Sequence, residues 1–138
     1  MQTVDLIIQN IDWLITVDPG RRIIRDAAIA IDGGKIVAIE KSAELGKSYA
    51  ATKKIDGRNT VATPGFVDCH LHSSFQLSRG LADEANAQQF LFDRMYPYEA
   101  ALGHDDVRVS ATLAATELLK HGVTCFIEGG AAGPRESA

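Results

Sequence analysis

The stretch Thr63-Pro64-Gly65-Phe66-Val67-Asp68-Cys69-His70-Leu71-His72 constrains the fold of this chain more than any other. A Pro-Gly bend leads straight into a short apolar run, the pattern of a buried strand. Further on the period changes. Val107, Ala111, Ala114, Ala115, Leu118 and Leu119 recur at i, i+4, i+7, i+8, i+11 and i+12, which is one apolar face of a helix over residues 105–121. Asp105 and Asp106 suit the positive end of that helix, Lys120 and His121 the negative end, and Gly122 a left-handed cap. Residues 123–127 are apolar again and close on Glu128-Gly129-Gly130, a second buried strand. Strand, helix, strand is one βα unit plus the next strand. Between them, residues 73–87 form a loop holding Arg79-Gly80, and residues 88–102 a broken helical stretch. Pro97 lacks an amide hydrogen and is expected to end or kink its first piece near Tyr96.

The residues before this unit read as β structure. Residues 4–17 are rich in Ile and Leu and end at the turn signal Asp18-Pro19-Gly20. Residues 27–31 and 35–39 flank Asp32-Gly33-Gly34, where Asp-Gly supplies the positive φ of a tight hairpin. Residues 42–51 are a loop or a short helix, and residues 54–62 return to an extended pattern with a turn at Asp56-Gly57. The expected architecture is α/β: a small antiparallel β-sandwich portion over residues 1–62, then barrel-type βα structure over 63–138.

Composition excludes several functions. With 14 basic against 18 acidic residues the formal net charge is −4, and no Lys/Arg cluster is present to neutralise phosphates, so nucleic acid is not an expected partner. The apolar stretch 6–15 is interrupted by Gln9, Asn10 and Asp12, and residues 1–5 carry no positive charge, so neither a signal peptide nor a membrane span is expected. Cys69 and Cys125 each sit inside an apolar run, which suits buried free thiols of a reducing compartment. Cytoplasm is the expected location.

The chemistry concentrates at residues 68–72. Successive side chains of a strand point to opposite faces, so Asp68, His70 and His72 share one face and Cys69 and Leu71 the other. Two imidazoles at i and i+2 stand near enough to bind one metal ion, or to be two core histidines satisfied by hydrogen bonds. Catalytic zinc commonly takes three protein ligands and leaves a position for water. A pair that ends a strand, with an inward Asp68 one layer below, favours the metal. His104 and His121 flank the long helix, where helix-end roles suffice to explain them. Trp13, Phe90 and Phe92 read as core or loop packing, with Phe90 a candidate pocket wall.

Pro64-Gly65-Phe66-Val67-Asp68-Cys69-His70-Leu71-His72 resembles the first barrel strand of the amidohydrolase superfamily, which is often preceded by a small β domain. Arg79-Gly80-Leu81-Ala82-Asp83, Tyr96-Pro97-Tyr98-Glu99 and Leu118-Leu119-Lys120-His121-Gly122-Val123-Thr124 resemble its aminohydrolases and chlorohydrolases acting on purines, adenosine-type nucleosides and triazines. The resemblance implies a (β/α)8 barrel of the TIM type. It assigns His70 and His72 as ligands of a catalytic divalent metal, zinc most of all with iron as the alternative. That metal lowers the pKa of its water, so that hydroxide can attack an electron-poor ring carbon. Two further histidines, an aspartate and a proton-shuttling glutamate are implied beyond Ala138. Glu99 is implied to contact the substrate, Asp68 to support the ligands, and Glu128 either to support them or to brace a loop.

The activity so implied is deamination of an aminated heterocycle, a small-molecule partner, by an enzyme expected to be a homo-oligomer when complete. A cyclic-amide hydrolase of the dihydropyrimidinase or dihydroorotase type is the rival within enzymes, and a catalytically inactive truncated module the rival outside them. A full barrel takes about 250 residues, whereas 76 of the 138 follow the β portion. The barrel is therefore expected to be incomplete, the chain a fragment or truncated product, and the chain alone inactive.

Overall fold

In the computed structural model, which describes residues 1–130, one long strand, β1 (Gln2–Ile15), organises the first of two units, Met1–Pro64. β1 pairs antiparallel with β2 (Ile23–Asp32), and β2 antiparallel with β3 (Lys35–Lys41). The hairpin between β2 and β3 turns at Gly33 and Gly34, whose φ values of 55° and 75° are the two positive angles of a primed turn. The Gly33 amide donates to the Asp5 carboxylate at 2.9 Å.

From β3 the chain crosses back through α1 (Ser42–Ser48), so that β4 (Tyr49–Asp56) enters parallel to β1, with Gln2 opposite Tyr49. β5 (Val61–Ala62) continues in the same sense beside the far end of β1, Trp13 opposite Val61. The sheet order is β3-β2-β1-β4 with β5 also on β1. This corrects the expected antiparallel sandwich portion to one mixed five-stranded sheet among the described residues. The physical reason is α1: a helical crossover, where the sequence allows loop or helix, returns the chain to the starting edge and makes the next strand parallel.

Both faces of this sheet are packed. Ala28 and Ala30 join Val4, Ile7 and Leu45 of α1 in one cluster, while Ala27 and Ile29 join Ile11 and Leu14 in another. Alternation along β2 accounts for the split. β1 serves the second cluster through a bulge: pairing jumps from Ile8 opposite Ile29 to Ile11 opposite Ala27, three residues against two, with Asn10 at φ 59°. The extra residue re-phases β1, so Ile8 and Ile11 pack in the same cluster although they lie three apart. The Asn10 amide donates to the Ser42 hydroxyl at 2.9 Å, which itself donates to the Ala27 carbonyl at 3.0 Å, fastening the bulge to the start of α1. Each fully buried Ile or Leu contributes about 1.5–3 kcal/mol.

The second unit begins at Gly65. β6 (Phe66–Leu71) and β7 (Val123–Glu128) pair in parallel. A 3₁₀ turn (Ser73–Ser78), a π-helical segment (Gln89–Met95), α2 (Tyr96–Ala101) and α3 (His104–Lys120) connect them. The helical path changes character at Tyr96, and Pro97 takes an opening position of α2, where a missing amide hydrogen costs least. At the start of α3 the Gly103 amide donates to Asp106 at 2.9 Å, and Gly122 takes φ 80° just past its end.

The buried stripe of α3 centres on Ser110 and Ala114, while Leu119, expected on the apolar face, is 67% exposed. Ser110 is held there because its hydroxyl donates to the Ser73 carbonyl at 2.8 Å and accepts from the Gln76 amide at 3.0 Å. An ion pair of Arg79 with Glu117 ties the end of the same turn to α3. Phe66, Val67, Phe126 and Ile127 are exposed, and so are Cys69 and Cys125, which corrects the expectation of buried strands and buried thiols. Among the described residues β6 and β7 form a two-stranded sheet, with no third strand to cover them. Trp13, at 41% exposure, carries the Arg25 guanidinium over its ring at 4.5 Å rather than lying in the core. Among the described residues no helix is long and apolar enough to cross a membrane.

Candidate functional site

The His-x-His pair lies at the C-terminal end of β6. There the ladder slips: Asp68 is opposite Phe126 and Leu71 opposite Glu128, three residues against two. Such a bulge re-aims side chains, so strict alternation, from which one shared face was expected, does not hold across residues 68–71. The Asp68 carboxylate accepts from the His70 amide at 3.1 Å, satisfying a backbone donor inside the slip. The imidazoles nevertheless come together, with ring centroids 5.0 Å apart and planes at 81°.

His72, one residue past β6, is fixed on two sides. Its ring stacks on Phe75 at 5.1 Å and 19°, and its Nδ1 lies 3.0 Å from the Gly130 carbonyl. A carbonyl oxygen only accepts, so Nδ1 carries the proton in this contact, and Nε2 is the nitrogen through which the neutral ring could ligate a metal. The Gly129 amide donates to the Leu71 carbonyl at 2.7 Å, extending the β6–β7 ladder and bringing bare glycine backbone beside both rings. Two imidazoles, one with its donor nitrogen already selected, in a cradle that a side chain would fill, fit a divalent ion of borderline softness. Among the described residues no group of three His, Cys, Asp or Glu side chains could hold a metal, so the pair could supply only part of a ligand set.

Glu128, the last residue of β7, accepts the Ser73 amide at 3.0 Å and thereby braces the chain just after His72. Burial raises its pKa, but the Ser73 and Gly130 hydrogen bonds and the nearby His72 outweigh this and hold the carboxyl below its ordinary value of 4.5. A carboxyl lowered by folding stabilises the protein above its unfolded pKa and ceases to do so as pH falls through the folded value. In metal-free protein, the stability difference between parent and Glu128→Gln is expected to be greatest near neutral pH, to begin closing at about pH 4.5 and to vanish only below the lowered folded value. Thermal denaturation across that range checks it, and an offset independent of pH contradicts it.

Glu99 lies half-buried on α2. The neighbouring Tyr98 ring meets Phe75 edge-on at 6.2 Å, so α2 is linked to the turn that supports His72. His104 opens α3, and His121 Nδ1 donates to the Glu117 carbonyl at 2.7 Å. His70, His72 and Glu128 thus lie at the C-terminal ends of β6 and β7, with Asp68 within β6 tied to the His70 amide, whereas His104 and His121 belong to helix ends. Sequence reasoning missed Phe75, Ser110 and the Gly129-Gly130 pair as parts of this site. The signal for the glycines was their position directly after a strand.

The sequence profile of the amidohydrolase family matches residues 61–137. A 5'-deoxyadenosine deaminase of Methanococcoides burtonii is 36% identical over 124 residues, covering 90% of this chain and 27% of that protein. A 5-methylthioadenosine/S-adenosylhomocysteine deaminase of Syntrophobacter fumaroxidans is 33% identical, with 90% and 28% covered. Among solved structures, an adenosine deaminase from Xanthomonas campestris with bound zinc superposes with a TM-score of 0.87 at 30% identity, covering 94% of this chain and 29% of that one. The chain therefore spans between a quarter and a third of the length of these relatives.

Proposed function

The chain belongs to the amidohydrolase family, and from that premise we propose that it carries the first metal-binding strand of a hydrolase that deaminates an aminated heterocycle. The observation that carries this reading is the His70–His72 pair, with His72 Nε2 left as the donor by the Gly130 contact. A divalent metal held by these imidazoles, zinc in first place and iron in second, supplies the acidity that makes a nucleophile of water near neutral pH.

The chain's own residues have distinct parts. His72 presents Nε2 while its Nδ1–H is held, Asp68 secures the backbone under His70, and Glu128 fixes the turn that follows. Their common position at the C-terminal ends of parallel strands is where (β/α)8 enzymes gather their chemistry, and it supports reading β6 and β7 as two strands of such a barrel. Glu99 is assigned to the substrate, through a polar edge remote from the reacting carbon. The activities named for the Methanococcoides and Syntrophobacter deaminases make an adenosine derivative altered at its 5' position the favoured substrate class.

The test is a steady-state assay of the complete enzyme that carries this chain, with measured metal content, against substituted adenosines, aminopyrimidines, aminotriazines and cyclic imides. Ammonia release from an aminated heterocycle, lost on chelation and restored by zinc, is expected. Ring opening of a cyclic imide in place of deamination assigns the protein to the cyclic-amide hydrolases and overturns the reading.

A further inference from the structure

We propose that Gly129-Gly130 is a positioning device for the two imidazoles, Gly129 by its lack of a side chain and Gly130 through its carbonyl. The inference rests on, and deepens, the reading of His70 and His72 as metal ligands. A Cβ built on Gly129 lies 3.0 Å from His72 Cε1, 3.1 Å from His72 Nε2 and 3.3 Å from His70 Cε1. Carbon atoms in favourable contact sit about 3.5–4.0 Å apart, so one methyl group at this position presses on both rings at once, beside the nitrogen that the metal needs.

Neither side of this contact can yield freely. The His72 ring is backed by Phe75 at 5.1 Å, with planes 19° apart, and its Nδ1–H is held by Gly130 at 3.0 Å. Gly129 is itself tied to β6 by its 2.7 Å hydrogen bond to Leu71. Gly130 takes φ 110°, a backbone region that residues with a side chain rarely enter, and its Cβ position is open space. The two glycines are therefore required for different reasons. One leaves room for the rings, and the other lets the backbone turn so that its carbonyl selects the His72 tautomer.

The experiment titrates zinc alone into the metal-stripped complete enzyme that carries this chain, as parent, and into its Gly129→Ala, His70→Ala, His72→Ala and Gly33→Ala variants, alongside thermal denaturation of each. Gly33 sits at φ 55° in a hairpin with nothing near its Cβ, so alanine there strains the fold without touching the pair. Loss of a group that orients a ligand costs about 10- to 100-fold in metal affinity, and that range is expected for Gly129→Ala with a little-changed unfolding transition. Gly33→Ala is expected to lower the transition and keep zinc affinity. In metal-free parent protein, nitrogen-15 spectra are expected to show the neutral form of His72 as the tautomer with its proton on Nδ1. Zinc bound through both histidines in the parent but equally tightly by Gly129→Ala overturns the role of Gly129. A neutral His72 found as the tautomer with its proton on Nε2 overturns that of Gly130, and this measurement stands even if no variant folds. A parent that binds no zinc, or binds it independently of both histidines, instead overturns the metal reading beneath the inference.

Discussion

In the complete enzyme that carries this chain, replacing His70 or His72 by alanine is expected to remove retained metal through dialysis and, with it, turnover. The loss should exceed the roughly 10- to 100-fold that follows when a ligand merely loses its orienting partner. Each substitution deletes a proposed donor atom outright, and the two imidazoles stand with ring centroids 5.0 Å apart. His72→Ala is expected to be the more disruptive of the two for local order. It also unstacks Phe75 and frees the Gly130 carbonyl, whereas His70 meets its neighbour edge-on. His121→Ala serves as the comparator, because that ring is committed to the Glu117 carbonyl at the end of α3 and should leave metal content unchanged. Metal analysis by mass spectrometry of each purified variant checks the series. Undiminished zinc in both His70→Ala and His72→Ala sinks the assignment.

What the sequence made legible is what local rules govern. The β2–β3 hairpin follows from Asp32-Gly33-Gly34, because few residues other than glycine take two positive φ values in succession. The extent of α3 follows from apolar spacing and end charges, and the His-x-His pair from its place after a Pro-Gly bend. What it left out depends on partners far along the chain. The parallel entry of β4 is decided by α1 packing Leu45 into the cluster of Val4, Ile7, Ala28 and Ala30, a non-local event. Ser110 in the middle of the buried stripe looks like an interruption of the apolar pattern until its hydroxyl is seen to satisfy both Ser73 and Gln76. The bulges at residues 8–11 and 68–71 appear only when two strands are counted against each other. The imidazoles stand 5.0 Å apart even though the second of them breaks strict alternation. In both bulges the exceptional backbone is secured by a short polar side chain, Ser42 at one and Asp68 at the other.

Gly65→Ala is expected to be the most damaging single-methyl change in the second unit. A Cβ at Gly65 lies 2.7 Å from Thr124 Cβ and nearer still to its Oγ1 and Cγ2. Rotating Thr124 about χ1 exchanges those two atoms but cannot move the Cβ, so the clash persists in every rotamer and the backbones must part. They part where the β6–β7 ladder begins, at the 2.8 Å hydrogen bond from the Phe66 amide to the Gly122 carbonyl. Forcing a methyl into a packed site costs about 1–3 kcal/mol and occasionally more. The gain of about 0.5–1 kcal/mol from replacing a flexible glycine within regular structure is smaller and opposite in sign. Gly46→Ala isolates that gain, because Gly46 lies within α1 with open space around it, and the change is expected to stabilise. Denaturant titration of Gly65→Ala, Thr124→Gly and the double variant checks the mechanism. Removing the Thr124 side chain should restore much of what Gly65→Ala loses, so the two changes should cost less together than their separate effects imply. Strict additivity, or a Gly65→Ala protein as stable as its parent, would mean that the strands are not held this closely. Because β6 carries His70 at its other end, the same variant should also bind zinc more weakly than the parent, and Thr124→Gly should recover affinity together with stability.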